Sequence, residues 1–204
     1  MPSRERWDAM WRELGAARVA PALYDEVLAH YAEPQRHYHT AQHLDECFAQ
    51  LDGARTLAER PAEVELALWF HDAIYEPRHN DNELKSADWA RESALAAGVA
   101  QDAAARVHSL VMATRHEAVP QGRDQEVLVD VDLSILGARA ERFDEYERQV
   151  REEYSWVPGF VFRRKRKGIL EQFLARAHLF STAAFSERLE APARANLARS
   201  IAQL

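Results

Sequence analysis

Residues 65–75 read ELALWFHDAIY, and the fold turns on how such a stretch can be buried. Leu66, Ala67, Phe70 and Ile74 recur at helical spacing, and Leu68 and Trp69 widen the stripe they make. A helix this apolar belongs inside a protein, covered by other helices on most of its circumference. Yet His71 and Asp72 stand side by side near its end. A buried carboxylate costs on the order of several kcal/mol unless it is paired or bound to a cation. A cation shared by His71 and Asp72 removes that cost. The other reading is an Asp bonded to a local donor beside an unrelated His.

Outward from this core helix the same period continues in both directions, with little alternation of apolar and polar residues. The pattern predicts helices over 3–14, 21–33, 39–53, 61–75, 81–97, 101–115, 124–136, 140–155, 160–181 and 186–203. The fold class is therefore all-α, a bundle of about ten helices forming one domain over residues 1–204. Pro21 and Pro61 suit first turns, Asp81 suits an N-cap, and Gly15, Gly53, Gly98 and Gly137 suit helix ends that need a positive φ. The run Val127–Leu136 also fits a buried strand, but its helical neighbours and Gly137 favour a helix.

The 204 residues can bury a full core, so neither disulfides nor a structural metal is needed for folding. A net charge of −7 disfavours nucleic acid as a partner. One cysteine, Cys47, excludes an internal disulfide, fits a reducing compartment, and lies at core spacing with Leu44, Phe48 and Leu51. The start lacks an apolar leader, and no run approaches the roughly 20 apolar residues that span a bilayer, so no membrane partner and a cytoplasmic location are expected. Trp7, Trp11, Trp69, Trp89, Phe173 and Phe180 read as packing.

Two further stretches carry chemistry. In HYHTAQHLDE, residues 37–46, His39 and His43 stand four apart, about 40° around a helix axis, where they can share a metal or divide binding from proton transfer. The same spacing fits a polar helix face. In EVLVDVDLSILG, residues 126–137, Asp130 and Asp132 interrupt an apolar run. Asp132 is the ligand candidate; Asp130 either orients a ligating imidazole or faces solvent. Mixed nitrogen and oxygen donors suit Mn, Fe, Co, Ni, Zn or Mg.

Histidine, then a His-Asp doublet, then a distant Asp, all in helices, resembles the HD superfamily of metal-dependent phosphohydrolases. More narrowly, RHYHTAQHL (36–44), ALWFHDAIY (67–75), DNELKSA (81–87), ATRH (113–116), DVDLSILG (130–137), VREEY (150–154) and RRKRKGILEQFL (163–174) resemble a bacterial family of predicted HD-superfamily phosphohydrolases. A more distant similarity is to the cyclic-nucleotide phosphodiesterases. The resemblance implies an HD-type helical bundle and a divalent metal held by His43, His71, Asp72 and Asp132, with His39 as proton donor to the leaving group. An Asn that follows this histidine in the phosphodiesterases is Thr40 here, and no nucleotide-base clamp is matched. Some bacterial HD nucleotidases activate water with a glutamate three residues after the doublet; that position is Tyr75, so the role passes to Glu76, to Asp72 or to no residue.

The expected activity is hydrolysis of a small phosphomonoester or phosphodiester, with a nucleotide among the candidate substrates. A metal- and nucleotide-binding regulatory module without turnover is the alternative, and a two-iron oxygenase, for which His79 and His116 are the spare histidines, is the third. Arg36, Glu83 and His116 are the candidate substrate contacts, although each also reads as a surface or helix-end residue. Asn82, Glu83 and Ser86 are candidates for ordering the site or its substrate, and Glu83 and Ser86 also fit a solvated helix start. The basic run Arg163, Arg164, Lys165, Arg166, Lys167 reads as a solvated helix face, with Arg166 set apart to pair with Glu152 or Glu153.

Overall fold

The computed structural model describes residues 3–204, and among them there are ten α-helices and no strand. They are α1 (Arg4–Glu13), α2 (Leu23–Tyr31), α3 (Ala41–Ala54), α4 (Pro61–Phe70), α5 (Asn82–Ala96), α6 (Gln101–Ala113), α7 (Arg123–Asp132), α8 (Ala140–Glu153), α9 (Gly159–Leu174) and α10 (Ala183–Gln203). Short 3-10 turns follow α3, at Arg55–Leu57, and α7, at Leu133–Gly137. The all-helical expectation holds, and the ambiguous run after Val127 is helical. No described helix is long and apolar enough to cross a membrane.

The helices form two compact units, one ending at Val129 and one beginning at Asp130, so that the division falls inside α7. In the first unit α4 is the central element. Pro61 opens it, where the missing N–H has no partner to lose. Every residue from Ala62 to Phe70 is buried, and α1, α3, α5 and α6 pack on it. Trp69 meets Trp7 edge-on at 4.9 Å and Phe48 at 4.8 Å, while Phe70 meets Trp89 at 5.3 Å. Two acids are carried inside by this helix. Glu63 accepts both arms of the Arg106 fork at 2.7 and 2.8 Å, and Glu65 lies between Arg6, at 2.9 Å, and Arg55, at 2.5 Å. Such pairing is what makes a carboxylate tolerable there.

In the second unit α10 packs on α9 and on the 3-10 turn after α7. Asn196 donates to the Leu136 and Ala138 carbonyls at 2.9 and 2.8 Å. At Gly137 a side chain is excluded: a Cβ would stand 2.7 Å from that of Leu189. Arg166 is buried on α9 and holds Glu147, which also accepts from Ser200 at 2.9 Å. The remaining residues of the basic run are exposed.

Several predicted boundaries are corrected. Helix 61–75 stops at Phe70, because the backbone that follows is held by side chains from elsewhere in the unit. Helix 160–181 stops at Leu174; Arg194 donates to the Leu174, Arg176 and Ala177 carbonyls, and the N–H groups of Leu179 and Phe180 donate to Glu190. Asp81 precedes α5 but makes no cap bond, its carboxylate pairing with Lys85 instead. Gly15 and Gly98 have the expected positive φ; Gly53 lies within α3, and Gly137 is required by the close approach of Leu189.

Candidate metal centre

The chain places the doublet just past the end of the buried helix. His71 is the residue that closes α4, and residues 71–73 form a turn. Four amides of this irregular backbone are engaged. The Asp72 N–H donates to the Tyr31 hydroxyl at 3.3 Å, the Ala73 N–H to the Phe70 carbonyl at 2.9 Å, the Ile74 N–H to Ser86 Oγ at 3.0 Å, and the Glu76 N–H to Asn82 Oδ1 at 3.1 Å. Asn82 returns a bond to the Glu76 carbonyl at 3.1 Å. Asn82 and Ser86, in the first turns of α5, thus order the loop that follows the doublet.

His43 enters from α3, whose start is fixed by Thr40: the hydroxyl of this N-cap accepts the Gln42 N–H at 3.3 Å. His39 therefore precedes the helix, and the predicted placement of His39 and His43 on one helical face is corrected. A threonine can stop a helix at this point because its oxygen replaces a backbone acceptor. The two rings still lie 6.2 Å apart between centroids.

At the centre, His71 Nδ1–H donates to the Leu68 carbonyl at 2.8 Å, so the neutral ring carries its lone pair on Nε2. That Nε2 faces His43 Nε2 at 3.1 Å and Asp72 Oδ2 at 3.0 Å, and His43 Nε2 lies 3.5 Å from the same oxygen. Cys47, one turn beyond His43, brings its sulfur to 3.7 Å from that ring. The ligand atoms of His43, Cys47 and His71 all fall within 4.8 Å of one another, and all three side chains are buried. Donors bound about 2.0–2.1 Å from one cation stand roughly 2.9–3.4 Å apart, and a sulfur–nitrogen pair about 3.6 Å apart. The donor set fits a divalent cation. A proton on His43 could satisfy one of these lone pairs, whereas a cation satisfies them together.

Burial pushes the Asp72 carboxyl pKa up, but the imidazoles of His71, His39 and His43 outweigh it and hold the group well below the usual carboxylate range. Asp72 is thus an anion at neutral pH, 17% exposed and turned to the two histidines. Burial pushes the Tyr31 phenol well up, so the hydroxyl beneath the doublet stays protonated.

The other expected residues are distributed as follows. His39 is half-buried, stacked on Tyr75 with ring centroids 4.0 Å apart. Arg36, read as a phosphate contact, has a side chain with 0% exposure; it donates to Glu33, to the His39 carbonyl at 3.2 Å, and to the carbonyls of Asp72 and Ala73 at 2.5 and 2.9 Å. Glu76 and His79 are exposed in the loop that leads to α5. Glu83 is half-buried on the first turn of α5, where its charge suits the helix N-terminus. His116 is half-buried three residues past α6 with φ +56°, a helix-end position. Asp132, the fourth expected ligand, ends α7 and belongs to the second unit, half-buried. Asp130 does not face solvent: it is fully buried and accepts from the N–H groups of Ser181 and Thr182 and from the Thr182 hydroxyl, each at 2.7 Å.

Two residues have surroundings that the sequence alone does not reveal. Cys47 is buried, as its core spacing predicts, and its position four residues after His43 also brings its sulfur to the imidazole. Arg36, expected at a phosphate or at the surface, is buried instead; nothing local reveals the carbonyls it reaches, which lie 36 and 37 residues away. Comparison with known proteins gave no match to a family model, a curated protein or a solved structure.

Proposed function

We propose that the chain is a metal-dependent phosphohydrolase of the HD type acting on a small phosphomonoester or phosphodiester. The observation that carries this reading is the convergence of His43 Nε2, His71 Nε2 and Asp72 Oδ2 at separations of 3.0–3.5 Å in a buried setting. His43, His71 and Asp72 would hold the cation, with Cys47 beside them; Asp132 is added to the set by the sequence resemblance. A bound divalent cation supplies a water of lowered pKa and draws charge from a phosphoryl oxygen. His71 keeps its ligating tautomer through Leu68, Asp72 contributes charge, and half-buried His39 is reachable by a leaving-group oxygen that needs a proton.

A second reading, a binding module without turnover, is favoured by one observation: the glutamate used by some HD nucleotidases is replaced by Tyr75, whose ring is packed on His39. The experiment is a panel of phosphoesters offered to the purified chain with Mn, Co or Ni, together with elemental analysis. Hydrolysis that disappears in His71→Ala and Asp72→Ala supports the enzyme. A fully metallated protein that hydrolyses none of the panel refutes it in favour of the module.

A further inference from the structure

Tyr75 stands where some HD nucleotidases carry a water-activating glutamate, and its surroundings give it a different use. Its ring is 9% exposed and lies parallel to the His39 imidazole, with an interplanar angle of 26° at 4.0 Å. Tyr38 meets the same imidazole edge-on at 4.9 Å from its other neighbour position, and also contacts His43 at 4.6 Å. Behind this group stands Arg36, its guanidinium carbon 5.6 Å from the Tyr75 ring centre and 5.4 Å from that of Tyr31. The same guanidinium ties the His39 carbonyl to those of Asp72 and Ala73. The ring of His39 is therefore set relative to the doublet through both its backbone and its face. An imidazole in an ordinary loop turns freely about two side-chain bonds; this one is fixed beside the candidate metal donors while staying half-buried.

We infer that Tyr75 is a positioning residue: stacked on His39, it holds that imidazole at the cation site and thereby fits the site to phosphoesters whose alcohol leaves poorly unless protonated. The inference rests on the hydrolytic reading above. In the step it describes, a water oxygen bonds to phosphorus and its proton passes to solvent. The phosphorus–oxygen ester bond breaks, and the proton carried by the His39 imidazolium goes to the departing alkoxide oxygen. The imidazole is reprotonated from solvent, so nothing is oxidised and no further reactant is required. General acid catalysis of this type contributes on the order of 10²–10⁴-fold, and it matters most when the leaving group is a strong base. An aryl ester such as the p-nitrophenyl ester leaves without that help. Alkyl esters, the class to which sugar and nucleoside phosphates belong, do not.

The test uses the Mn-loaded full chain and four probes, the p-nitrophenyl and ethyl esters of phosphate and of methyl phosphate. Tyr75→Ala should lose at least about tenfold more kcat on the ethyl ester than on the matching p-nitrophenyl ester, with Mn affinity unchanged. Tyr75→Phe, which keeps the ring, should restore the wild-type ratio. Equal losses on both leaving groups, or Tyr75→Phe behaving as Tyr75→Ala, would overturn the inference while leaving the hydrolytic reading in place. If Tyr75→Ala does not fold, Tyr75→Phe and Tyr75→Leu provide the same comparison of ring against no ring. A wild-type protein that binds Mn but hydrolyses none of the four esters overturns both readings together.

Discussion

Divalent cations should stabilise the chain, and the gain should vanish when the two central imidazoles are removed. His71 Nε2 faces His43 Nε2 at 3.1 Å and Asp72 Oδ2 at 3.0 Å, so these donors are close together before any ion binds. Little rearrangement is then required for binding, and the free energy of binding adds to that of folding. An ion at about 100 times its dissociation constant contributes about 2.7 kcal/mol. For a chain of this length each kcal/mol raises Tm by about 2–4 °C, giving an expected rise of about 5–11 °C. The assay is thermal unfolding after removal of bound metal with a chelator, then with Mn, Co, Ni, Zn or Mg restored one at a time. His43→Gln with His71→Gln should abolish the shift. An equal rise in that double variant, or no rise with any ion in the wild-type protein, would refute the assignment of these donors to a cation.

Two other outcomes follow from features away from the centre. Burial raises the Glu65 pKa above its ordinary value, although Arg6 and Arg55 pull it back down. A carboxyl raised in the folded state contributes stability below the unfolded value that is lost as pH rises through the folded one; urea unfolding of Glu65→Gln should therefore show a flatter dependence than wild type just above the ordinary glutamate range, and identical slopes there would refute the assignment. Gly137→Ala forces a Cβ to 2.7 Å from that of Leu189 and 2.9 Å from its carbonyl oxygen, and should destabilise the unit beginning at Asp130 by about 1–3 kcal/mol. Unchanged denaturant midpoints would show that this contact relaxes without cost.

The helices were legible because burying a face leaves a period in the sequence, and α4 shows it plainly. What the period cannot reveal is which distant group will satisfy a polar atom. Asp130 and Asp132 lie two residues apart in the same apolar run, and only the folded turn at Ser181 and Thr182 explains why Asp130 is buried and bonded. Glu63 and Glu65 look like flaws in a buried helix until Arg106, Arg6 and Arg55 are brought to them. The doublet itself was visible, since a charged pair after so apolar a stretch needs a reason. Its release from the helix was not, because that depends on Arg36, Tyr31, Asn82 and Ser86, none of them adjacent in the chain. Thr40 is an intermediate case: its residue type announces a helix start, but the regular spacing of His39 and His43 argued for starting the helix earlier.

The turn at residues 71–76 lacks the regularity of a helix, yet its amides are held almost as completely as those within one. Ordering a loop around an arriving ion or ester ordinarily sacrifices backbone freedom and so weakens capture. Here that freedom was surrendered during folding, to a phenol, a hydroxyl and an amide borrowed from neighbouring helices. The segment can thus combine the reach of a loop with the stiffness of a scaffold, and a ligand would encounter a surface already in its final shape.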